Sequence, residues 1–139
     1  MQTFLPLPNY LESMRTLDKS RLGNQVWREG LTLIRGGWPN HPASRMWRGH
    51  EYHLGLYLLA GCKVLAERGK EYPAVVDKIL VEMAKFTDTG APPWLGDESF
   101  HLSHRSNLLR KLPAHYRQFW PTDPDNLPYI WPVQKKTAS

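Results

Sequence analysis

Arg21, Asn24, Gln25, Arg28 and Glu29 stand among Leu22, Val26, Leu33 and Ile34 in residues 17–34, on one expected helix. A lone carboxylate among guanidinium and amide groups weakens their attraction for a polyanion, so a ridge built only to hold phosphate has no use for Glu29. A general acid or base, or a group that stabilises a developing cation, does have a use for it. The bland alternative is a solvated helix face. Glu29 lacks the usual cation four residues on, because position 33 is Leu33.

Two further clusters carry chemistry. In Trp38-Pro39-Asn40-His41-Pro42-Ala43-Ser44-Arg45-Met46-Trp47-Arg48-Gly49-His50-Glu51, Arg45 and Arg48 are three apart and share a helical face suited to phosphate, with His41 nearby. His50 and His53 are also three apart, yet no third ligand stands at motif spacing, so no metal is expected. In residues 101–111, Leu108 and Leu109 anchor a helix from which His104, Arg105, Asn107, Arg110 and Lys111 are expected to project as a clamp on a phosphate backbone. A solvated basic helix fits that third pattern too. Trp27, Trp38, Trp47 and the aromatic residues near the C-terminus suit wedges or stacking platforms, and each taken singly also suits a core. Glycine-rich phosphate loops and nucleophile elbows are absent from the sequence, and Cys62 lies in an apolar stretch that disfavours its thiolate.

The elements that must position these groups are helices. Pro6 and Pro8 keep the first ten residues extended, and Thr16 or Asp18 caps a helix that runs to about Arg35, where Gly36-Gly37 stops it. A second, longer helix is expected from Pro42 or Ser44 to Gly69, with Met46, Leu54, Tyr57, Leu58, Gly61 and Leu65 at helical spacing and its glycines marking close contacts. Pro73 opens a third over 74–86, residues 87–96 form a loop, and a fourth runs from Ser103 or His104 to Lys111 before Pro113. The remainder, rich in Tyr, Trp and Pro, is expected to pack over the bundle in extended form. The expected class is therefore all-α, a compact bundle of about four helices with a proline-rich C-terminal tail, forming one domain over residues 1–139.

The chain has 18 Lys and Arg against 13 Asp and Glu, a formal net charge of +5 that favours an anionic partner. Its single cysteine allows no internal disulfide and fits a reducing, cytoplasmic setting, and its start carries no basic flank or long apolar run of a signal peptide. No stretch is long and apolar enough for a bilayer, and a monomer is expected.

Residues 1–8, the run Leu17-Asp18-Lys19-Ser20-Arg21-Leu22-Gly23-Asn24-Gln25, the segment His41-Pro42-Ala43 with Met46-Trp47-Arg48-Gly49, and His104-Arg105-Ser106-Asn107-Leu108-Leu109-Arg110-Lys111 together resemble the pyrimidine-dimer DNA glycosylase family of endonuclease V type, most closely its bacterial and phage branch. The resemblance implies a helical domain without cofactor or metal, acting on double-stranded DNA. It also implies that an N-terminal α-amine attacks C1′ of the sugar and that a glutamate on the first long helix assists. Here those groups are the amine of Met1, retained because Gln2 is bulky, and Glu29 preceded by Arg28. A free α-amine titrates near ~8, so a neutral nucleophilic fraction exists at physiological pH. Glu29 stands one residue further from Arg21-Leu22-Gly23 than the branch's pattern, which implies a one-residue insertion and leaves Arg28 at the acid's usual place. Lys19, Arg21, Asn24, Gln25, His41, Arg45, Arg48, His104, Arg105, Asn107, Arg110 and Lys111 are the implied DNA contacts. Two other functions suit the same residues: a transferase modifying hypermodified pyrimidines in DNA, and a DNA-binding module without catalysis.

Overall fold

Helix caps set most of the architecture, which a computed structural model describes for residues 1–132. Asn9 accepts from the Glu12 N–H and starts α1, Tyr10–Thr16, a helix that the sequence pattern does not announce. Asp18 caps the next helix, as expected, accepting from the Arg21 N–H. That helix, α2, runs through Lys19–Gly23, Asn24–Gly30 and Leu31–Ile34 without a break, but its middle third is π-helical. It ends at Arg35, and Gly36 turns the chain away.

The long second helix expected from the sequence is two. Pro42–Trp47 forms α3 and Glu51–Glu67 forms α4, because Gly49 takes φ +84 between them, a left-handed conformation that no helix continues through. Pro73–Met83 forms α5. The fourth expected helix starts earlier, at Glu98 rather than Ser103, since Asp97 accepts from the Ser99 N–H; Glu98–Lys111 is α6. Pro113 both ends α6 and opens the short α7, Pro113–Tyr116. The described residues thus form an all-helical fold of seven helices rather than four: Gly49 divides one expected helix in two, and α1 and α7 are short helices outside the expected spans. The tail lies along α6 in extended form: Leu127 N–H donates to Ser106 Oγ at 2.9 Å and Ile130 N–H to Ser103 Oγ at 3.1 Å. Residues 133–139 of the expected domain lie outside the described residues.

The core gathers on α4, which buries Leu54, Tyr57, Leu58, Val64 and Leu65. Gly61 lets α1 and α2 close on it, since a methyl there would stand 2.5 Å from Val26 and 3.0 Å from Met14. Gly30 does the same for the π segment, where a Cβ would meet Leu58 at 2.1 Å and the Gln25 carbonyl oxygen at 2.3 Å.

The first residues thread through this bundle as a buried strand with no sheet to join. Side chains satisfy its backbone instead. His101 Nδ1 donates to Leu5 O at 2.7 Å, His104 Nδ1 accepts from Leu5 N–H at 2.9 Å, and Arg105 donates to Pro6 O at 2.9 Å. His104 must be neutral to accept, and burial pushes it down to about 3.

Gly30→Ala is expected to lower the unfolding free energy by about 1–3 kcal/mol in urea, because backbone as well as Leu58 must move. Acidification provides a second measurement. The folded pKa of His104 lies below the unfolded value near 6.5, so its contribution is present above 6.5 and is lost as pH falls toward 3. The slope contributed there is at most ~1.4 kcal/mol per pH unit, and His104→Asn is expected to flatten it.

Candidate active site

Gln25 is the side chain from which the site is assembled. It is 2% exposed, and its carboxamide bonds on four sides. Its Nε2 donates to Gln2 O and to Glu29 Oε2, both at 2.9 Å. Its Oε1 accepts from Phe4 N–H at 2.8 Å and lies 2.8 Å from the Tyr57 hydroxyl, whose proton is shared with Phe4 O at 2.6 Å. One amide therefore ties the buried strand, α2 and α4 together and orients the Glu29 carboxylate. Thr3 adds a second anchor, its Oγ1 accepting from Trp47 Nε1 at 3.0 Å.

Gln25 and Glu29 are four apart within the π segment. A π turn holds one residue more than an α turn, so it absorbs a one-residue lengthening and leaves the rest of the helix in register. Leu31, Leu33 and Ile34 return to the core beyond it. Glu29, not Arg28, faces the strand; Arg28 is exposed, and its carbonyl accepts from Thr32 Oγ1 at 2.7 Å.

A cavity of about 370 Å³ opens where these elements meet, lined by Met1, Glu29, Arg21, Asn24, Lys111 and Tyr129 among others. The start of the chain and the one acid of α2's polar ridge thus share a cavity with two cations. Electrostatics bind them to their surroundings. Burial lowers the His41 imidazole, and the positive charge at Met1 lowers it further against an opposing pull from Glu29, so both groups lie within its field. His41 is fixed by accepting from Ala43 N–H at 3.0 Å and by an edge contact to Trp131 at 5.7 Å. Burial raises the Tyr129 hydroxyl to about 12, with Arg110 and Arg21 opposing and Glu29 adding. Burial and then Glu29 raise Tyr57 in the same direction.

Other expected site residues fall into two groups. Lys19 lines a neighbouring groove of about 790 Å³ with Trp27, Lys70 and Tyr72, and Ser20 and Asn24 line both hollows. Arg45 and Arg48 lie on and just after α3, half-buried and exposed, with Arg48 donating to Pro39 O at 2.5 Å. Arg110 is exposed and donates to Asn107 Oδ1 and to Asp125 O, while Lys111 reaches the cavity. The projection expected of His104, Arg105 and Asn107 is corrected. All three are buried: His104 on Leu5, Arg105 in ion pairs with Asp123 at 2.8 Å and Glu98 at 3.1 Å, and Asn107 on Ser103 and Leu127. They are enclosed because α6 is covered on one side by the strand and on another by the tail. Gln25 likewise bonds within the protein rather than outward.

His53 is held between Tyr10 and Asp88, at 2.9 and 3.4 Å, while His50 Nδ1 has no hydrogen-bond partner among the described residues. Burial pushes the Cys62 thiol up to about 11. Tyr57 and Tyr129 were not among the site residues expected from sequence. Tyr57 sits in an apolar helical stripe and Tyr129 in a tail without periodicity, so neither carries a local signal.

Among the described residues the fold is all-helical, and its cavity brings Met1 and Glu29 together with Arg21 and Lys111. Residues 1–78, more than half the chain, match the family model described as pyrimidine dimer DNA glycosylase, and the chain belongs to that family. The matched span takes in the strand, the π segment, the His41 loop and α4, and ends before α6. No curated protein and no solved structure matches.

Gln25→Leu leaves Phe4 N–H and Gln2 C=O buried and unpaired, and is expected to cost about 2–4 kcal/mol of unfolding free energy by urea denaturation. Gln25→Glu is also expected to destabilise, because it turns an acceptor toward Gln2 O and Glu29.

Proposed function

We propose that the protein excises a damaged or modified pyrimidine from double-stranded DNA, with the Met1 amine as nucleophile and Glu29 as the assisting carboxylate. The observation that carries this reading is that Met1 and Glu29 line the same cavity, with Arg21 and Lys111 beside them. Membership of a DNA glycosylase family supports the chemistry.

In the proposed reaction the neutral amine forms a bond to C1′ as the bond from C1′ to the base breaks, and the base leaves with the electron pair and is protonated. Glu29 stabilises positive charge developing on the sugar, then takes a proton from the attacking nitrogen. The C1′–O4′ bond then opens as Glu29 returns that proton to O4′, giving an iminium joining protein and sugar, and the carboxylate removes a C2′ proton as the C3′–O bond breaks and the 3′ phosphate departs with the electron pair. Gln25 fixes the carboxylate through Nε2, so the acid enters the reaction already oriented. Arg21 and Lys111 meet the phosphates flanking the sugar, and Lys19, Arg28, Arg45, Arg48 and Arg110 extend positive charge beyond them. Asn24 supplies a polar contact at the cavity.

Borohydride is expected to trap a covalent adduct on ultraviolet-irradiated duplex DNA, with the label on the Met1 peptide. Glu29→Gln is expected to lower base release by about 10²-fold or more while retaining DNA binding. Extra residues ahead of Met1 are expected to abolish trapping. Absence of both base release and adduct across several altered pyrimidines would remove the reading, and a mass-shifted nucleoside instead of a free base would replace it with base modification.

A further inference from the structure

Trp38 takes φ +51, the single non-glycine residue among those described with a positive φ. That region is unfavourable for a side chain with a Cβ, and a bulky aromatic is an outlier there. Trp47, Trp94 and Trp120, with ordinary backbone, are buried in the core. Trp38 is instead 55% exposed, and no other ring lies against it among the described residues. Trp27, 39% exposed, differs: it packs edge-on against Tyr72 at 4.9 Å over Gly23.

The loop that carries Trp38 is fastened at every turn. Gly37 N–H donates to Thr32 O at 2.8 Å, Ser44 Oγ to Gly37 O at 2.9 Å, His41 N–H to Trp38 O at 3.0 Å and Arg48 to Pro39 O at 2.5 Å. The conformation is therefore held by the surrounding backbone while the indole gains little from the protein. The loop ends at His41, whose ring packs edge-on against Trp131 at 5.7 Å, and Trp131 packs at 5.7 Å against Tyr129 in the cavity wall, so these two rings link the loop to the cavity that holds Met1 and Glu29.

We propose that Trp38 is the wedge that enters the base stack of duplex DNA beside the altered pyrimidine and holds the opened step. This inference rests on the glycosylase reading. A flat, rigid ring fixed in solvent is suited to replace one stacked base, and Arg48, exposed at the loop's foot, meets the adjoining phosphate. The unfavourable backbone is what aims the ring outward.

The test compares wild type, Trp38→Gly and Trp38→Phe on one altered pyrimidine placed either in a duplex or in the same strand alone. Trp38→Gly is expected to lose about 10-fold or more in kcat/KM on the duplex and to stay near wild type on the single strand, where no stack must be opened. Trp38→Phe is expected to keep most duplex activity. Because glycine relieves the positive φ, Trp38→Gly is also expected to unfold at an equal or higher temperature than wild type. Equal losses on both substrates, no loss on either, or a lowered melting temperature for Trp38→Gly would overturn the wedge while leaving the glycosylase reading intact. A wild-type protein inactive on both substrates would overturn the two together.

Discussion

A strand without a sheet must find partners for its backbone elsewhere, and that constraint organises this protein. Residues 2–6 are buried, so their N–H and C=O groups need bonds that no neighbouring strand provides. Gln25 supplies them from α2, Tyr57 from α4, and His101, His104 and Arg105 from α6. Each donor or acceptor is itself buried, so each becomes costly to leave unpaired, and the strand and three helices hold one another in place. The same bonds deliver the start of the chain to the acid on α2.

The π segment is the second half of that arrangement. Gln25 and Glu29, four apart, meet on its inner face, and beyond the wider turn Leu31, Leu33 and Ile34 face the core. Gly30 closes the segment because neither Leu58 nor the Gln25 carbonyl leaves space for a side chain.

Positive charge divides by position rather than by residue type. Arg105 is consumed in ion pairs that fasten α6 to the tail, and Arg68 donates to the carbonyls of Arg15 and Leu17. Lys19, Arg28, Arg48, Arg110 and Lys111 stay exposed, and Arg21 and Lys111 reach the cavity itself. The exposed basic residues thus supply a surface potential suited to DNA, while Arg105 and Arg68 are spent on structural bonds.

Helical periodicity, caps and breakers were legible in the chain: Asp18, Pro42, Pro73 and Pro113 act where their chemistry says, and the stripe on α4 is the core. The break at Gly49 and the early start of α6 at Asp97 were not, because a glycine within a helical pattern and an aspartate in a loop each permit two outcomes until packing selects one. Membership of the family was legible in residue type and order. Which basic residues face solvent, that His104 and Asn107 serve the interior, and that Tyr57 and Tyr129 adjoin the acid were decided by tertiary structure alone. Burial and hydrogen bonding depend on what lies opposite a side chain, and Leu5 and His104 meet across 99 positions that no local pattern connects.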